Sequence, residues 1–400
     1  MSGPGHFSRR LAQAYNVEDI RRLAQGKLPR GIYESIERGT EDEVALRNNR
    51  DAFDRIKFDP RMLVDVSRIS TEIELFGEKI AMPLAIAPTG SAGLVWFRGE
   101  VELARAAAKC NVPFTLATRS LSSIETIAEE AGGNLWLQLY VWRDRQLSYQ
   151  LVDRARAAGF KALMVTADTP VPPNREYNLR NGYGLPFKPS RAALVDMALH
   201  PAWLLRVMGR YMAHGGMPRF ETLPGRPKIT EGTPASMGTS ESVTWDDIRE
   251  LRRRWTGILM VKGLLHVDDV VKAADCGVDA VVLSNHGGRN LDSSRAPIEV
   301  LPEVVDAVGH RIQVLVDSGV RRGSDIVKAM ALGASAVLSG RPTLFGTAVA
   351  GQAGAAHVLD ILRRETINTL GMVGCPDIRT ADRNLVGNRH PTSLTTKERH

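Results

Sequence analysis

One pattern constrains the fold of this 400-residue chain more than any other. From about residue 80, a short apolar run, a polar or glycine-bearing loop and an amphipathic helical stretch follow one another eight times. Strands that alternate with helices predict a parallel sheet, and eight is the number of units that closes a (β/α)8 barrel. The eight runs are near-continuously apolar, as buried parallel strands are: Pro83–Ala87, Pro113–Ala117, Leu135–Leu139, Ala162–Thr166, Gly257–Val261, Ala280–Leu283, Ile312–Val316 and Ala336–Leu338. The sequence therefore predicts an α/β fold, a TIM barrel.

The remaining segments are expected to extend this barrel within one domain over residues 1–400. Residues 1–80 predict an N-terminal helical cap with a hairpin around Glu72–Ile80. Residues 81–350 predict the barrel itself, interrupted after the fourth strand by a long insertion at about 171–242. Residues 351–400 predict C-terminal helices and a polar tail that is frayed from Ala381 onward.

The tip of the insertion, about residues 185–220, is basic and amphipathic. Leucine, valine and methionine residues, with Trp203 and Tyr211, are interleaved there with one acid, Asp196, and with five basic residues: Lys188, Arg191, Arg206, Arg210 and Arg219. A segment of this kind can lie in a membrane interface. A lid over the barrel or a contact between subunits is the alternative, and the sequence leaves both open.

The net charge and the cysteine content of the chain limit which binding partners and which cellular compartment are expected. Lysine and arginine number 52 against 45 acidic residues, which gives a net charge of +7 that suits anionic ligands or an anionic membrane surface. A basic stripe or a nucleic-acid-binding module is missing, so no nucleic-acid partner is expected. The three cysteines lie far apart, which excludes a disulfide framework and fits a reducing compartment. Without a secretory signal or spanning segment, a cytoplasmic protein is expected, peripheral on the inner face of the cell membrane if the insertion binds lipid.

Active sites of such barrels lie at the C-terminal ends of the strands. Polar and charged groups follow every predicted strand and would converge at this one mouth, which predicts a binding and catalytic site there. In chain order they are Pro88, Thr89 and Gly90; Thr118 and Arg119; Gln138 and Tyr140; Thr166 and Asp168; Lys262; Ser284 to Arg289; Asp317, Ser318, Gly319 and Arg321; and Gly340 and Arg341.

The last two loops predict a phosphate site. Gly319 and Gly340 would let backbone N–H groups approach a ligand, while Arg321 and Arg341 supply charge and forked donors. The loops after strands seven and eight are the usual phosphate position in this fold. No GxGxxG or GxxxxGK[ST] motif occurs, which disfavours a dinucleotide-binding unit and a P-loop.

His286 is the candidate general base, because it follows a strand end beside glycines at the shared mouth. Asp168 could pair with it, and we expect that pairing to raise the pKa of the imidazole. Arg175 and Arg289 offer two guanidinium groups that suit a substrate carboxylate. No second histidine or cysteine stands at ligand spacing from His286, so no metal is expected.

Several stretches at the predicted mouth form a recognisable set. Ser284–Asp292 reads SNHGGRNLD, and the other stretches are Leu28–Pro29, Gln138–Tyr140, Thr166–Pro170, Val261–Gly263 and Asp317–Gly323. Over about residues 15–380 they resemble, in order and spacing, the FMN-dependent (S)-2-hydroxy acid dehydrogenases and oxidases, whose signature is SNHGGRQLD. Gly374–Ile378 is most similar to the bacterial mandelate dehydrogenases of that family. The resemblance implies FMN as cofactor and oxidation of a 2-hydroxy acid to a 2-oxo acid.

The resemblance also implies a role for each candidate residue. His286 would take a proton, with Asp168 beside it; which substrate proton leaves first stays open. Tyr140 would bond the substrate oxygen, and Arg175 and Arg289 would hold the carboxylate. The implied cofactor-binding residues are Pro88, Thr89, Gly90, Gln138, Thr166, Lys262 and Ser284 around the flavin, and Asp317, Ser318, Gly319, Arg321, Gly340 and Arg341 around its phosphate.

The electron acceptor and the assembly are implied less directly. Gly90 stands where oxidases of this family commonly have alanine, which favours a dehydrogenase that passes electrons to a quinone. An oxidase that uses oxygen is the alternative. Family members are often tetramers, which implies a homo-oligomer here. Two further alternatives explain these residues less well. A flavin-dependent isomerase would not need His286 together with two arginines. A non-catalytic flavin-binding protein would leave His286 without a role.

Besides Asn290 in the signature, three positions depart from the family pattern. Ser35 stands where a carboxylate-binding tyrosine is usual, and Tyr33 cannot replace it from another helix face. Ala117 replaces a common serine, and Arg119 stands where a tryptophan often covers the substrate. These changes predict a wider, more positive pocket for an aromatic or bulky substrate. A peptide-derived or amine-bearing substrate is the alternative.

Overall fold

Eight parallel strands close into a barrel in the computed structural model, which describes residues 11–184 and 186–387. Around the barrel the strand order is β10-β3-β4-β5-β6-β7-β8-β9, and the barrel is closed because β10 pairs with both β9 and β3. The strand bounds are β3 Leu84–Ile86, β4 Phe114–Leu116, β5 Leu135–Leu139, β6 Ala162–Thr166, β7 Ile258–Leu264, β8 Ala280–Leu283, β9 Gln313–Val316 and β10 Ala336–Ser339. The TIM barrel is therefore confirmed.

Helices cover the outside of the barrel and alternate with the strands, as predicted. Between and after the strands they are α4 Gly99–Lys109, α5 Ile124–Glu130, α6 Arg145–Ala157, α11 Trp245–Arg254, α12 Val267–Asp275, α13 Pro297–Val308, α14 Gly323–Ala331 and α15 Arg341–Val373, which is kinked at Ala350 and Gly351. The observed strand bounds differ from the predicted ones by at most one residue, except at the end of β7. This strand continues past Val261 to Leu264, and its pairing with β6 extends to Thr166↔Lys262.

The segment before the barrel is a helical cap followed by a hairpin, as expected. Its elements are α1 Val17–Gln25, α2 Arg30–Glu37, α3 Val44–Arg55, β1 Ile73–Leu75 and β2 Glu78–Ile80. Asn16 begins α1 by accepting a hydrogen bond from the amide of Asp19 at 2.9 Å. The helices α1 and α15 pack against each other, which fixes the cap to the barrel.

The insertion leaves the barrel after β6 and returns before α11. It holds α7 Glu176–Arg180, α8 Arg191–Ala198, α9 Pro201–Trp203, a π-helical turn Leu204–Gly209 and α10 Arg210–His214. Trp203 and Val207 are buried, and the indole of Trp203 donates to the carbonyl of Leu94 at 2.8 Å. One face of this segment is thus attached to the barrel. In the two described ranges, no helix is long and apolar enough to cross a membrane.

The expected fraying of the tail was wrong for its first residues. Leu385 and Val386 are buried, and Val386 forms an isolated bridge with Phe58. These two apolar side chains hold the start of an otherwise polar stretch against the rest of the protein. The rest of the predicted tail, residues 388–400, lies outside the described residues, as does Leu185 in the insertion.

Strand periodicity decides where polar groups enter the barrel interior. Alternate residues of a strand point to opposite faces, and the inward row contains apolar residues such as Trp136, Met164, Met260, Val282 and Leu315. Two residues further along, the same rows end in Gln138, Thr166, Lys262, Ser284 and Asp317. The interior is therefore apolar below and polar at the C-terminal mouth.

Candidate active site

A buried ion pair lies at the base of the mouth. The ammonium of Lys262 is 2.9 Å from Asp317 and donates to the hydroxyl of Ser284 at 2.8 Å, and Ser284 donates to Asp317 at 2.8 Å. Burial alone would lower the pKa of Lys262, but Asp317 and Asp168 outweigh it and raise that pKa. The pKa of Asp317 is held below its usual range because Lys262 outweighs the effect of burial. Lys262 therefore brings a fixed positive charge into the barrel.

Gln138 and Thr166 form a second polar pair beside this one. The side-chain amide of Gln138 donates to the hydroxyl of Thr166 at 3.0 Å and accepts from the backbone amide of Thr118 at 3.0 Å. The hydroxyl of Thr118 accepts from the amide of Tyr140 at 2.9 Å. Thr118, which the sequence placed at the mouth without a role, thus orients both neighbouring strand ends.

His286 and Asp168 lie together above the ion pair. Nδ1 of His286 is 2.9 Å from Oδ1 of Asp168, and Nε2 is 3.5 Å from the hydroxyl of Tyr140. His286 has φ of 58°, an unusual conformation for a side chain of this size, and its amide donates to Ser284 at 2.9 Å. The loop therefore holds the imidazole with Nε2 toward Tyr140.

Asp168 raises the pKa of His286 as expected, but the net shift of that pKa is in the opposite direction. The pKa of His286 is lowered, because burial favours the neutral imidazole by more than Asp168 favours the charged one. Burial alone would raise the pKa of Asp168, yet the adjacent imidazole outweighs it and holds that pKa below its usual range. The pair therefore combines a neutral imidazole with an ionised carboxylate.

Gly263 explains how Asp168 reaches this place. The β7–β8 register shifts between Lys262 and Leu264, and Gly263 has φ of 105°. A Cβ at this position would come within 2.5 Å of the Cβ of Asp168. The Val261–Gly263 motif therefore serves Lys262 and Asp168 together, since only glycine permits both the bulge and the close approach.

Arg175 reaches the same mouth from the insertion and is held by Asn290. Nε of Arg175 donates to the carbonyl of Arg289 at 3.0 Å, and its terminal nitrogen donates to Asn290 at 3.1 Å. Asn290 in turn donates to the carbonyl of Asp168 at 2.7 Å and to Thr169 at 2.9 Å. The sequence showed Asn290 only as a departure from a signature, whereas the structure shows that it joins the loops of Arg175 and Asp168.

Arg289 and Arg341 approach the C-terminal end of α2. Arg289 donates to the carbonyl of Ser35 at 2.6 Å, and Arg341 donates to the carbonyls of Ile36 at 2.8 Å and Gly287 at 2.9 Å. Arginine near these last carbonyls is favourable because of the helix dipole. A Cβ on Gly287 would lie 2.5 Å from a nitrogen of Arg341, so glycine is required for this approach.

Burial and repulsion between arginines lower the pKa of Arg321 and Arg341 by more than the nearby carboxylate of Glu37 raises it. Burial, followed by the charge of Arg289, lowers the pKa of Arg175 to about 10 and that of Arg341 to about 9. Burial also lowers the pKa of Arg321. Positive groups that depress one another's pKa favour a bound anion. Beside them, Ser318 and Gly319 adopt φ of 78° and 89°, which fits a backbone turn around a phosphate.

The other predicted residues lie around this centre. Arg119 is close enough for its charge to lower the pKa of Tyr140, against the larger raising effect of burial. Its carbonyl accepts from the amide of Ser91 at 2.9 Å, which brings the Pro88–Gly90 loop beside it. Gly340 ends β10 and precedes Arg341. Ala117 is buried beside Thr118.

Two tyrosines of the insertion complete the surroundings, and no sequence pattern predicted either of them. Tyr177 is buried, and its hydroxyl has no hydrogen-bond partner in the parts of the chain that the structure describes. It influences the pKa of both Arg175 and Arg341, so it lies beside the arginines. Tyr183 lies close to Ser35 and Arg289. Both depend on the path of the insertion, which periodicity does not predict.

Comparison with known proteins gives one consistent result. The family model described as FMN-dependent dehydrogenase matches residues 24–388. An (S)-mandelate dehydrogenase from Pseudomonas putida is 42% identical over 382 residues, which is 95% of each chain. An L-lactate oxidase from Nostoc sp. is 38% identical over 93% of this chain and 98% of its own. A crystal structure titled as the monotopic membrane protein (S)-mandelate dehydrogenase superposes with a TM-score of 0.86 at 41% identity, over 94% of this chain and 99% of that one.

Proposed function

This chain belongs to the FMN-dependent dehydrogenases that oxidise 2-hydroxy acids, and from that premise we propose that its substrate is an aromatic or otherwise bulky (S)-2-hydroxy acid similar to mandelate. The observation that carries the proposal is the His286–Asp168 pair, 2.9 Å apart, which faces Tyr140 and Arg175 at one mouth. The 42% identity to a mandelate dehydrogenase supports the substrate class.

The donors at the mouth fit FMN. The phosphate would bind the turn at Ser318 and Gly319 with Arg321 and Arg341, where buried positive charge lacks a full counter-charge. Asp317 and Gly340 belong to the same phosphate-binding loops, and around the ring we place residues that line the barrel mouth: Pro88, Thr89, Gly90, Gln138, Thr166, Lys262 and Ser284. When bound, FMN supplies the oxidising centre that accepts two electrons from the substrate.

The residues of this chain would bind the substrate and move its proton. Arg175 pairs with the carboxylate, with Arg289 as the second guanidinium, and Tyr140 donates to the substrate oxygen. His286 is neutral because burial lowers its pKa, so Nε2 can take a proton from the substrate. Asp168 accepts from the Nδ1–H and stabilises the imidazolium that results. Lys262 places positive charge at the base of the site.

A bulky substrate fits the departures at two positions. Ser35 occupies less volume than tyrosine, and Arg119 contributes a charge beside Tyr140. We therefore expect mandelate to be a better substrate than glycolate or lactate. Efficient turnover of lactate would contradict the preference. Poor turnover of lactate, mandelate and hydroxyphenyl-lactate alike would favour a peptide-derived or amine-bearing substrate instead.

An anaerobic absorption spectrum tests the reaction directly. The purified yellow holoprotein is mixed with (S)-mandelate, and separately with (R)-mandelate, under argon. We expect the flavin to bleach with the S enantiomer only, because Arg175, Tyr140 and His286 fix one orientation of the substrate. A flavin that remains oxidised with every 2-hydroxy acid tried would contradict the proposed function.

The acidity of His286 gives a prediction of pH dependence. The neutral imidazole is the active form, and its pKa in the folded protein lies below 6.5. The kcat/KM should therefore be level above pH 7 and fall as pH decreases through that pKa. Asp168→Asn removes the carboxylate that raises the pKa and should move the acidic limb to lower pH. A limb above pH 7 in the wild-type enzyme would contradict the assignment.

For the acceptor we propose a quinone, with oxygen as the second candidate. Gly90 supports this choice by the family resemblance, and the solved neighbour is titled a monotopic membrane protein. The L-lactate oxidase relative keeps oxygen open. During turnover in air, reduction of a soluble quinone without matching peroxide formation would support the first, and stoichiometric peroxide would support the second.

We also propose that the insertion attaches a cytoplasmic homo-oligomer, a tetramer by analogy, to the inner face of the membrane. None of the residues in α8 is buried. On the same segment Leu194, Val195, Leu199, Leu204, Leu205 and Met212 are exposed, and so are Arg191, Arg206 and Arg210. Exposed apolar side chains beside arginines suit an anionic lipid surface.

Vesicle binding tests this attachment. Leu199 and Leu205 are 74% and 70% exposed, and burying each in lipid would contribute about 1.5–3 kcal/mol. The double variant Leu199→Glu/Leu205→Glu should reduce co-sedimentation with phosphatidylglycerol vesicles at least about tenfold. Leu63→Glu is the matched control, since Leu63 is fully exposed outside the insertion. Equal binding by all three proteins would contradict the proposal.

A further inference from the structure

Tyr183 from the insertion lies where α2 presents Ser35 to the arginines. Its phenol is close enough to the Ser35 side chain and to Arg289 for both to lower its pKa, against the larger raising effect of burial. Arg289 itself donates to the carbonyl of Ser35 at 2.6 Å. Ser35, Tyr183 and Arg289 thus form one cluster, although they come from the cap, the insertion and the β8 loop.

The turn that carries Tyr183 is fixed against α2. The amide of Tyr183 donates to the carbonyl of Asn178 at 2.8 Å, and its ring packs edge-on against Phe187 with centroids 5.5 Å apart. The side-chain amide of Asn181 donates to Glu34 at 2.5 Å. A Cβ on Gly31 would lie 3.6 Å from the Cβ of Tyr183, so the turn is in close contact with the helix. The hydroxyl position is therefore set by packing on three sides.

A hydrogen bond within α2 determines what Ser35 can offer the phenol. The hydroxyl of Ser35 donates to the carbonyl of Ile32 at 2.6 Å, which uses its only proton. Toward Tyr183, the Ser35 hydroxyl can therefore act only as an acceptor. The phenolic O–H remains a donor, and a carboxylate is a stronger acceptor for it than a serine hydroxyl.

We propose that Tyr183 is a substrate-binding residue, whose hydroxyl donates to the substrate carboxylate held by Arg289 and Arg175. The proposal rests on the proposed 2-hydroxy acid activity. It bears on the departure at Ser35, where a carboxylate-binding tyrosine is usual in the family. The insertion instead supplies a hydroxyl from the opposite side, and the small Ser35 leaves space for it.

The protonation state of Tyr183 agrees with this role. Burial raises its pKa to about 12, and the opposing effects of Ser35 and Arg289 are smaller. The hydroxyl therefore remains a donor throughout the pH range in which the enzyme works. The nearby Arg175 and Arg289 retain positive charge, so an anion is favoured beside the phenol.

Binding of an unreactive carboxylate to the holoenzyme tests the proposal. Phenylacetate has no hydroxyl to oxidise, and its dissociation constant can be followed by the change in flavin absorbance. For Tyr183→Phe we expect that constant to increase about 10- to 100-fold, because a hydrogen bond to a charged group is lost. Phenylacetamide, which lacks the charge, should bind the variant and the wild type within about threefold.

Controls separate this role from packing. Ser35→Ala removes the acceptor but keeps the phenol and should weaken phenylacetate less than Tyr183→Phe does. Tyr149→Phe is the matched control, because Tyr149 lies on α6 beside Arg254, far from the mouth. Unchanged phenylacetate binding in Tyr183→Phe, or equal weakening for acid and amide, would overturn the inference. If one of these two results is obtained while the flavin of the wild-type enzyme bleaches with (S)-mandelate, the proposed activity stands and only the inference about Tyr183 fails.

Discussion

His286→Gln is expected to slow reduction of the flavin by (S)-mandelate by at least about 10³-fold while FMN remains bound. General-base catalysis typically contributes about 10²–10⁴-fold. His286 is the proposed base, because burial lowers its pKa and its Nε2 lies 3.5 Å from the hydroxyl of Tyr140. Glutamine can still donate to Asp168 but cannot take the proton. The rate of flavin bleaching in an anaerobic stopped-flow experiment measures the effect.

Two observations make the His286 experiment decisive. The bound flavin spectrum of the variant should match that of the wild type, since His286 is not among the residues assigned to FMN. His310→Gln is the matched control, because His310 is exposed at the surface. Reduction of His286→Gln within tenfold of the wild-type rate would contradict the role of His286 and would assign the proton to another group.

Lys262→Met is expected to lower the free energy of unfolding of the apoprotein by about 3–5 kcal/mol, the cost of leaving one partner of a buried ion pair alone. Lys262 is 2.9 Å from Asp317, and both side chains are almost completely shielded from solvent. Methionine keeps most of the volume, so the loss is electrostatic rather than a cavity effect. Urea denaturation at pH 7 measures the change.

The partner substitution provides the control for Lys262. In Lys262→Met/Asp317→Asn the uncompensated carboxylate is gone, so we expect at least half of the lost stability to return. Asp317→Asn alone should also destabilise the protein, because it leaves the ammonium of Lys262 without its counter-ion. Additive losses in the double variant would show that the two groups act independently and would contradict the pair.

The barrel and most of its mouth could be predicted because both follow from periodicity. Eight apolar runs specified the strands, and the strand ends specified the polar groups without knowledge of any contact. The rule has a simple physical basis: Trp136 and Gln138, or Met260 and Lys262, share one row of an alternating strand. Once a strand was located in the sequence, the side of the barrel wall on which each of its residues lies therefore followed.

The residues that the sequence did not predict depend on long-range packing. Tyr177 and Tyr183 reach the arginines only because the insertion folds back onto α2, and no local pattern encodes that path. The role of Asn290 required the distances to Arg175 and Asp168. The sign of the pKa shift at His286 was missed because a pair can be guessed from sequence, whereas the extent of burial cannot. The docking of Leu385 and Val386 was missed because it also depends on long-range packing.

Closure of the barrel has a consequence for when the cofactor can enter. The barrel closes at the seam where β10 pairs with β3. Val337 is paired there with Leu84, so two strands about 250 positions apart in the sequence must meet. The groups assigned to FMN come from both sides of that seam, from Pro88 to Arg341. A ribosome-bound chain that ends before β10 holds no complete flavin site. Binding of FMN to the complete site must therefore follow synthesis of the last strand.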